Sequence, residues 1–198
     1  MKYAFPQEVL LMFFHASPVP NLKNLTPHIS NHGTPLIYFS TKRENVLVYL
    51  SNAVEKCCRE SGFHHDGPWK KWGSYGFTKD GILVLEEYYP DATAETYRSV
   101  SGYIYSTENV KDAISLPDIP FTFTTSAPTI VNECEYVPDA YEALLRAEAE
   151  GRIILHSFSQ NSREKLEWIY RSVQSEYAQS ASSPDYQFFL KAKFPHLF

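Results

Sequence analysis

The stretch Ile37-Tyr38-Phe39-Ser40-Thr41 leads from a short apolar strand into an amphipathic helix, and this junction decides the fold assignment. The strand is predicted over residues 36–40. The helix is predicted over about residues 43–59, because apolar residues recur there at i, i+3, i+4 and i+7. The candidate cap is Ser40 or Thr41, and Glu44, three residues after Thr41, completes the pattern of a capping box. The junction also carries the first candidate site residues.

Strands and helices are both predicted along the rest of the chain. An apolar run over residues 9–14 predicts a buried strand that ends at His15. Lys79-Asp80-Gly81 predicts a hairpin, and Asp139 is placed to cap a helix. Further strands are predicted over residues 72–78, 82–88, 102–106, 121–125, 129–137 and 153–158, and helices over 109–115, 140–150, 162–179 and 186–198. This mixture predicts an α+β fold with a mostly antiparallel sheet.

The length of 198 residues suits one domain. We expect a single domain over residues 1–182 and an aromatic tail over residues 183–198 that packs on it. Aromatic residues make up 15% of the chain, which predicts either an aromatic-rich core or a cleft lined by rings for a flat ligand. Composition leaves both interpretations open.

The formal net charge of −5 argues against a general nucleic-acid-binding surface, which needs a basic footprint. Trp69-Lys70-Lys71-Trp72 is a local exception, but four residues do not outweigh the acidic balance, and we predict a solvated loop there. The apolar run over residues 9–14 is too short for a transmembrane helix and lacks a basic flank. We therefore expect a cytoplasmic protein without a membrane partner.

Cysteine and histidine spacing does not predict a metal site. Cys57 and Cys58 are adjacent on the predicted helix, so their side chains point about 100° apart and do not share a metal easily. The total of three cysteines is odd, which does not suggest a disulfide framework. The sequence also has no Walker loop, no Gly-x-Gly-x-x-Gly, no His-Glu-x-x-His and no Gly-x-Ser-x-Gly.

Three further pieces accompany the strand–helix junction: Phe14-His15-Ala16-Ser17, Tyr49 and Glu133-Cys134-Glu135-Tyr136. Each has a purely structural explanation. A histidine at a strand end can bond to backbone, and Tyr49 fits the apolar face of its helix. Glu133 and Glu135 share one face of a strand because strand side chains alternate, and that face can simply be solvated.

Taken in order, the four pieces resemble the His-Tyr-Glu site of ADP-ribosyltransferases of the diphtheria-toxin-like and rifampin-modifying classes, which split NAD between nicotinamide and ribose. The resemblance covers about a quarter of the chain and implies two packed, mostly antiparallel sheets with a central cleft and flanking helices. Ala16 stands where the family usually has glycine, a departure from the motif.

The resemblance implies a role for each piece. His15 would contact the ribose of the adenosine half of NAD, with Ala16 and Ser17 beside it, because a small residue lets the backbone approach the ligand. Tyr38 and Tyr49 would stack on the nicotinamide ring, next to Ser40. A shift of one residue in the register would give the place of Tyr38 to Phe39.

The glutamates would carry the chemistry. Glu135 would stabilise the oxocarbenium-like ribose as nicotinamide leaves, because a carboxylate attracts a charge that develops in the transition state. Glu133 would engage the acceptor. Asp112, which follows Tyr103-Ile104-Tyr105, is an alternative acid with a shorter match to the rifampin-modifying enzymes.

The function implied is NAD-dependent transfer of ADP-ribose, a glycosyl transfer that releases nicotinamide and needs no metal. The acceptor could be a protein, a nucleic acid or a small molecule. One alternative is a non-catalytic ligand- or protein-binding module on the same fold. Another is an RNA 2′-phosphotransferase, which would need a cluster of arginines near the motifs that this sequence does not show.

Overall fold

In the computed structural model of the chain, residues 11–29, 33–65 and 74–198 are described. Within these residues the chain forms twelve strands: β1 (Phe13–Ser17), β2 (Asn24–Leu25), β3 (His28–Ile29), β4 (Pro35–Ser40), β5 (Ser74–Phe77), β6 (Leu83–Glu86), β7 (Gly102–Thr107), β8 (Ile114–Ser115), β9 (Thr122–Thr125), β10 (Thr129–Ile130), β11 (Glu133–Val137) and β12 (Ile153–His156). The same residues form the α-helices α1 (Ala53–Glu60), α2 (Ala92–Tyr97), α3 (Ala140–Ala149), α4 (Arg163–Gln179) and α5 (Pro184–Lys193), and 3₁₀ helices over Arg43–Tyr49, Phe158–Gln160 and Pro195–Leu197. The fold is mixed α+β, as predicted.

The largest sheet is antiparallel and has β1 near its centre. Its strand order is β11-β7-β1-β4-β9-β8, and β3 also pairs with β4. A second sheet has the order β12-β6-β5, and in it β12 runs parallel to β6 while β5 and β6 form the predicted hairpin. Gly81 has a φ of +75° in that hairpin turn, a conformation that favours glycine. A short third sheet joins β10 and β2.

The helix predicted over residues 43–59 is divided into two parts. Its first part, Arg43–Tyr49, is a 3₁₀ helix, here called the crossing segment because it packs against β1, β4, β7 and α3. Its second part, α1, begins anew because the Asn52 side chain caps the backbone N–H groups of Val54 and Glu55. The apolar period is common to both parts, so the sequence predicted the helical character but not the break.

The two faces of the large sheet have separate cores. On one face, the crossing segment packs with Ala16 and Ile104 of the sheet, with β6 and with α3. On the other face, the core contains Phe13, Leu25, Ile37, Phe39 and Tyr105. A third cluster joins α1, α4 and α5 and includes the fully buried Phe189 and Leu190. The C-terminal helix is thus part of a core with α1.

Three further predicted elements were wrong in detail. The strand predicted to end at His15 continues to Ser17, because β1 stays paired with β7 up to that residue. The helix predicted over residues 109–115 is a turn followed by β8, with Asp112 at a φ of +53°. The strand predicted over residues 129–137 is interrupted, because β10 pairs with β2 whereas β11 pairs with β7. The helix after Asp139 is confirmed, and its cap accepts from the backbone of Tyr141 and Glu142. The stretch Trp69-Lys70-Lys71-Trp72 and residues 9–10 lie outside the described residues.

None of the helices in the described part of the chain is both long enough and apolar enough to cross a membrane.

Candidate functional site

His15 lies where β1 and β4 meet. Within the described residues these strands are registered at Phe14 opposite Ser40, and the His15 ring bonds through Nδ1 to the carbonyl oxygen of Tyr38 at 2.9 Å. Because a carbonyl oxygen only accepts, Nδ1 carries the proton and Nε2 is an acceptor in the neutral ring. Burial lowers the pKa of His15, and His28 adds to this effect against the opposing influence of the Tyr38 bond. A neutral ring can accept a hydrogen bond from a ligand hydroxyl.

We expect His15 to make the protein less stable as the pH falls. The unfolded chain takes up a proton at the ordinary histidine pKa of 6.5, whereas the folded chain does so only at lower pH. The free energy of unfolding should therefore decrease as the pH drops below about 6.5. Urea unfolding of the unmodified protein and of His15→Gln, compared across this range, measures the effect. Parallel curves for the two proteins would contradict it.

Tyr38 and Tyr49 come together with a third tyrosine, Tyr75 of β5. The Tyr49 and Tyr75 rings meet edge to face with centroids 6.0 Å apart, and their hydroxyl groups are hydrogen-bonded to each other. Burial raises the pKa of Tyr49, and the nearby Tyr38 phenol raises it further while the Tyr75 bond opposes the rise. Tyr75 was missed by the sequence reasoning, since an aromatic residue in a hairpin strand carries no functional signal of its own.

The register places Tyr38, and not Phe39, toward the crossing segment. Phe39 is 2% exposed, and its ring packs edge to face on Phe13 in the core of the opposite face. Tyr38 is its neighbour in the strand and so points to the other side, where Ser40 also lies. The Ser40 hydroxyl accepts from the backbone N–H of Lys42 at 3.1 Å, which shapes the entry into the crossing segment.

Glu133 and Glu135 lie on the face of the sheet that the crossing segment covers. Directly paired residues share a face in an antiparallel sheet, and two rows of such pairs reach the glutamates. One row is Glu133–Ser106–Phe14–Ser40–Thr122, and the other is Glu135–Ile104–Ala16. Both glutamates therefore share a face with Tyr38 and Ser40.

His15 points to the opposite face of the same sheet. It pairs with Tyr105, which in turn pairs with Cys134, and this row lies between the two glutamate rows. Its ring centroid is 5.9 Å from that of Phe39, in the other core. The structure thus separates the His15 ring from Glu135 by the thickness of the sheet.

Arg43, the first residue of the crossing segment, donates two hydrogen bonds to Glu135. Its Nε donates to Oε2 at 2.7 Å, and a second guanidinium nitrogen donates to Oε1. The bond to Glu135 raises the pKa of Arg43. Such a fork is the strongest common geometry for a guanidinium and a carboxylate. Sequence reasoning missed Arg43, because the partners are far apart in the chain.

Asn45 carries a buried side-chain amide on the crossing segment. The residue is 4% exposed, and both polar atoms of its side chain lack a hydrogen bond among the residues that the structure describes. Leaving a buried polar group unsatisfied costs about 1–3 kcal/mol. Asn45 lies between Arg43 and Tyr49 on the crossing segment, so the cost falls within the candidate site.

Replacing Asn45 with leucine, which is close to it in shape, is expected to raise the free energy of unfolding by about 1–3 kcal/mol, because the unsatisfied amide is removed. Guanidinium unfolding of the two proteins measures the change. Asn52→Leu is the control. The side-chain oxygen of Asn52 caps α1, so we expect its removal to lower the free energy of unfolding by about 1 kcal/mol. A loss of stability in Asn45→Leu would show that the amide has a stabilising partner.

The remaining predicted residues have local roles in the structure. Ala16 is buried against the core under the crossing segment, and the Ser17 hydroxyl accepts from the backbone N–H of Val19 at 3.1 Å. Asp112 is exposed in the connection leading to β8, at the opposite edge of the sheet from Glu135. The described residues contain no group of three His, Cys, Asp or Glu side chains that could hold a metal ion.

A cavity of about 420 Å³ opens beside Tyr49. It is bounded by Pro18 just after β1, by the start of α1 and by the loop that precedes β7. Tyr49 is 37% exposed and so presents part of its ring at this surface. The predicted site residue therefore borders a space of ligand size.

Comparison of the chain with protein-family models, with curated proteins and with solved structures gives no match.

Proposed function

We propose that this chain is an NAD-dependent ADP-ribosyltransferase with the two-sheet cleft of that family. One observation carries the proposal: the crossing segment joins three of the four sequence pieces. Tyr38 and Ser40 precede it, Tyr49 ends it beside Tyr38, and Arg43 at its start holds Glu135. Residues that lie far apart in the chain are thus gathered around one short element, whereas His15 lies on the opposite face of the sheet.

In the proposed reaction, the nicotinamide ring of NAD stacks on Tyr49 beside Tyr38. The bond between the ribose C1′ and the nicotinamide nitrogen breaks, and its electron pair leaves with the nicotinamide, which becomes neutral. Positive charge then develops on the ribose, and Glu135 attracts it most strongly in the transition state. A nucleophilic oxygen or nitrogen of the acceptor forms the new bond to C1′ and loses its proton to water or to Glu133.

Arg43 prepares Glu135 for this role. An ionised carboxylate has about four lone-pair sites, and the two hydrogen bonds from Arg43 use two of them. The others can face a ribose, and the carboxylate is fixed in orientation before the substrate arrives. Arg43 also offsets part of the negative charge, so the ribose cation would share the carboxylate with the guanidinium.

His15 acts from the other side of the sheet in this proposal. Its Nε2 is an acceptor, which suits a ribose hydroxyl as donor. Because its ring and Glu135 lie on opposite faces, NAD would have to pass the beginning of β1, where Phe14 is the described position at which that strand pairs with β4. The adenosine ribose and the nicotinamide ribose would then lie on either side of this strand end.

A non-catalytic binding module is the second candidate, and one observation favours it. Arg43 contacts both carboxylate oxygens of Glu135, which reduces the charge available to a ribose cation. A protein that had lost the chemistry could keep the tyrosines and the cavity for binding alone. Such a protein would bind NAD without cleaving it.

The experiment that tests the function follows both halves of NAD. The protein is incubated with NAD labelled in the adenosine moiety, with and without a cell extract as a source of acceptors. We expect free nicotinamide, detected by mass spectrometry, and adenosine label attached to an acceptor. Saturable NAD binding with intact NAD recovered at the end would support the binding module instead.

A further inference from the structure

A second cavity, here called the interhelix cavity, is bounded by α1 and α2. Its lining residues recur at spacings of three and four on each helix, which places their side chains on one helix face. They include Ala53, Lys56 and Glu60 from α1, and Asp91, Ala94 and Glu95 from the N-cap and body of α2. The two alanines leave room between the helices, and the volume of about 580 Å³ lies within the range of small-molecule sites. Among the described residues, the lining contains none of those assigned to NAD above.

One end of the interhelix cavity is cationic and lies at Arg98, the C-cap of α2. The Lys56 side chain is only 10% exposed, and its Nζ donates to the carbonyl oxygen of Arg98 at 2.7 Å. An ammonium group has three donors, and the Glu60 carboxylate is 3.8 Å from Nζ, which is too far for a hydrogen bond. Lys56 therefore keeps donor capacity, and a ligand carboxylate is the group that suits it.

The other end of the interhelix cavity is acidic. Asp91 is the N-cap of α2, yet its side chain makes no capping hydrogen bond, and it forms no ion pair with a residue that the structure describes. Glu95, one turn further along α2, already accepts a hydrogen bond from Lys193 Nζ. Asp91 is therefore the carboxylate available to a cationic group of a ligand.

The spacing of the two ends limits which ligand can reach both. From Asp91 to Arg98, seven residues apart, the backbone of α2 rises about 10 Å. Three residues of extended peptide span about the same distance, so the terminal ammonium and carboxylate of a tripeptide match the two ends. A free amino acid carries both charges on one carbon and can reach only one end. The lining holds three cations and three carboxylates, so its net charge favours neither a simple anion nor a simple cation.

We infer that the interhelix cavity binds a short zwitterionic peptide of about three residues, with its carboxylate at Lys56 and its terminal ammonium at Asp91. This site is separate from the proposed NAD site and does not depend on the proposed function. Glu60 lies beside Lys56 and repels the ligand carboxylate. Removing the charge of Asp91 should therefore weaken binding, and removing the charge of Glu60 should strengthen it.

Calorimetry with trialanine and its capped forms tests the inference on the unmodified protein. N-acetyl-trialanine lacks the terminal ammonium, and trialanine amide lacks the carboxylate. We expect trialanine to bind, and each cap to weaken binding about tenfold, which is the value of one charge-assisted hydrogen bond. Alanine, whose two charges cannot reach both ends of the cavity, should bind at least about tenfold more weakly than trialanine.

Variants assign each end of the peptide to a residue. Asp91→Asn should bind trialanine and N-acetyl-trialanine equally, and Lys56→Met should bind trialanine and its amide equally. Glu60→Gln should bind trialanine more tightly and the amide unchanged, and it tests the same end at a position whose side chain is 62% exposed, should Lys56→Met fail to fold. Asp118→Asn is the matched control for Asp91→Asn, because it changes an exposed aspartate outside the lining and should leave binding unchanged.

The inference would be overturned if the unmodified protein did not bind trialanine, or if it bound a capped form equally well. Equal affinity for alanine and trialanine would overturn it too, because the spacing of the two ends would then have no effect. An Asp91→Asn variant that still preferred the free amino terminus would show that the ammonium binds elsewhere, and this result would also contradict the inference.

Discussion

Replacing Glu135 with glutamine is expected to lower the rate of nicotinamide release from NAD by about 10²–10³-fold, the usual cost of deleting one preorganised electrostatic group. Glutamine keeps the size of the side chain but removes the charge that attracts the ribose cation. The Glu135 side chain is about half exposed, so losing its pair with Arg43 should change stability by less than about 1 kcal/mol. The rate is measured by mass spectrometry of nicotinamide at saturating NAD, and circular dichroism confirms that the variant is folded.

Glu133→Gln is the matched control for this variant. The two glutamates lie on the same face of one strand, and both are exposed. Within the described residues, Arg43 donates hydrogen bonds to Glu135 and not to Glu133. We expect Glu133→Gln to release nicotinamide at an unchanged rate and to transfer less ADP-ribose to an acceptor. Equal release by Glu135→Gln and the unmodified protein would contradict the assignment of the catalytic carboxylate.

Leu47→Ala is expected to lower the free energy of unfolding by about 2–5 kcal/mol. Leu47 is fully buried at the centre of the crossing segment and packs in the core beneath it. Truncation removes buried methyl groups and leaves a cavity between this segment and the sheet. Because Arg43 and Tyr49 sit on the same segment, its anchoring determines where both side chains lie.

The loss is measured by guanidinium unfolding, with Leu11→Ala as the control. Leu11 is 46% exposed, so the same substitution there should cost far less. If Leu47→Ala lowered the free energy of unfolding no more than Leu11→Ala does, the crossing segment would not be anchored by its core contacts. The geometry of the site would then need another cause.

Local patterns in the sequence were enough for the class of the fold and for several elements. The hairpin around Lys79-Asp80-Gly81 and the helix capped by Asp139 depend on residues adjacent in the chain, and both are present. The 3₁₀ form of residues 43–49 was not predicted, because it arises where the segment packs on the sheet. The helix wrongly predicted over residues 109–115 has the same cause, since pairing with β9 makes its last residues a strand.

The candidate residues could be chosen from the sequence, but their arrangement could not. Arg43 and Glu135 are separated by 92 residues in the chain. Tyr75, on β5 of the second sheet, contacts Tyr49 at the end of the crossing segment. Such contacts follow from strand order and register, which no local pattern encodes. The same reason explains His15. Alternation within β1 can be predicted from the sequence, but only the pairing of β1 with β7, and of β7 with β11, shows that His15 faces away from Glu135.

The most direct test of the central claim is whether the purified, unmodified protein releases nicotinamide from NAD. The protein is incubated with NAD, and free nicotinamide is followed over time by mass spectrometry, with Glu135→Gln in parallel. We predict release that rises with protein concentration and is nearly abolished in the variant. Intact NAD in both reactions, with and without cell extract, from a protein that is folded would contradict the proposal that this site cleaves the bond between nicotinamide and ribose.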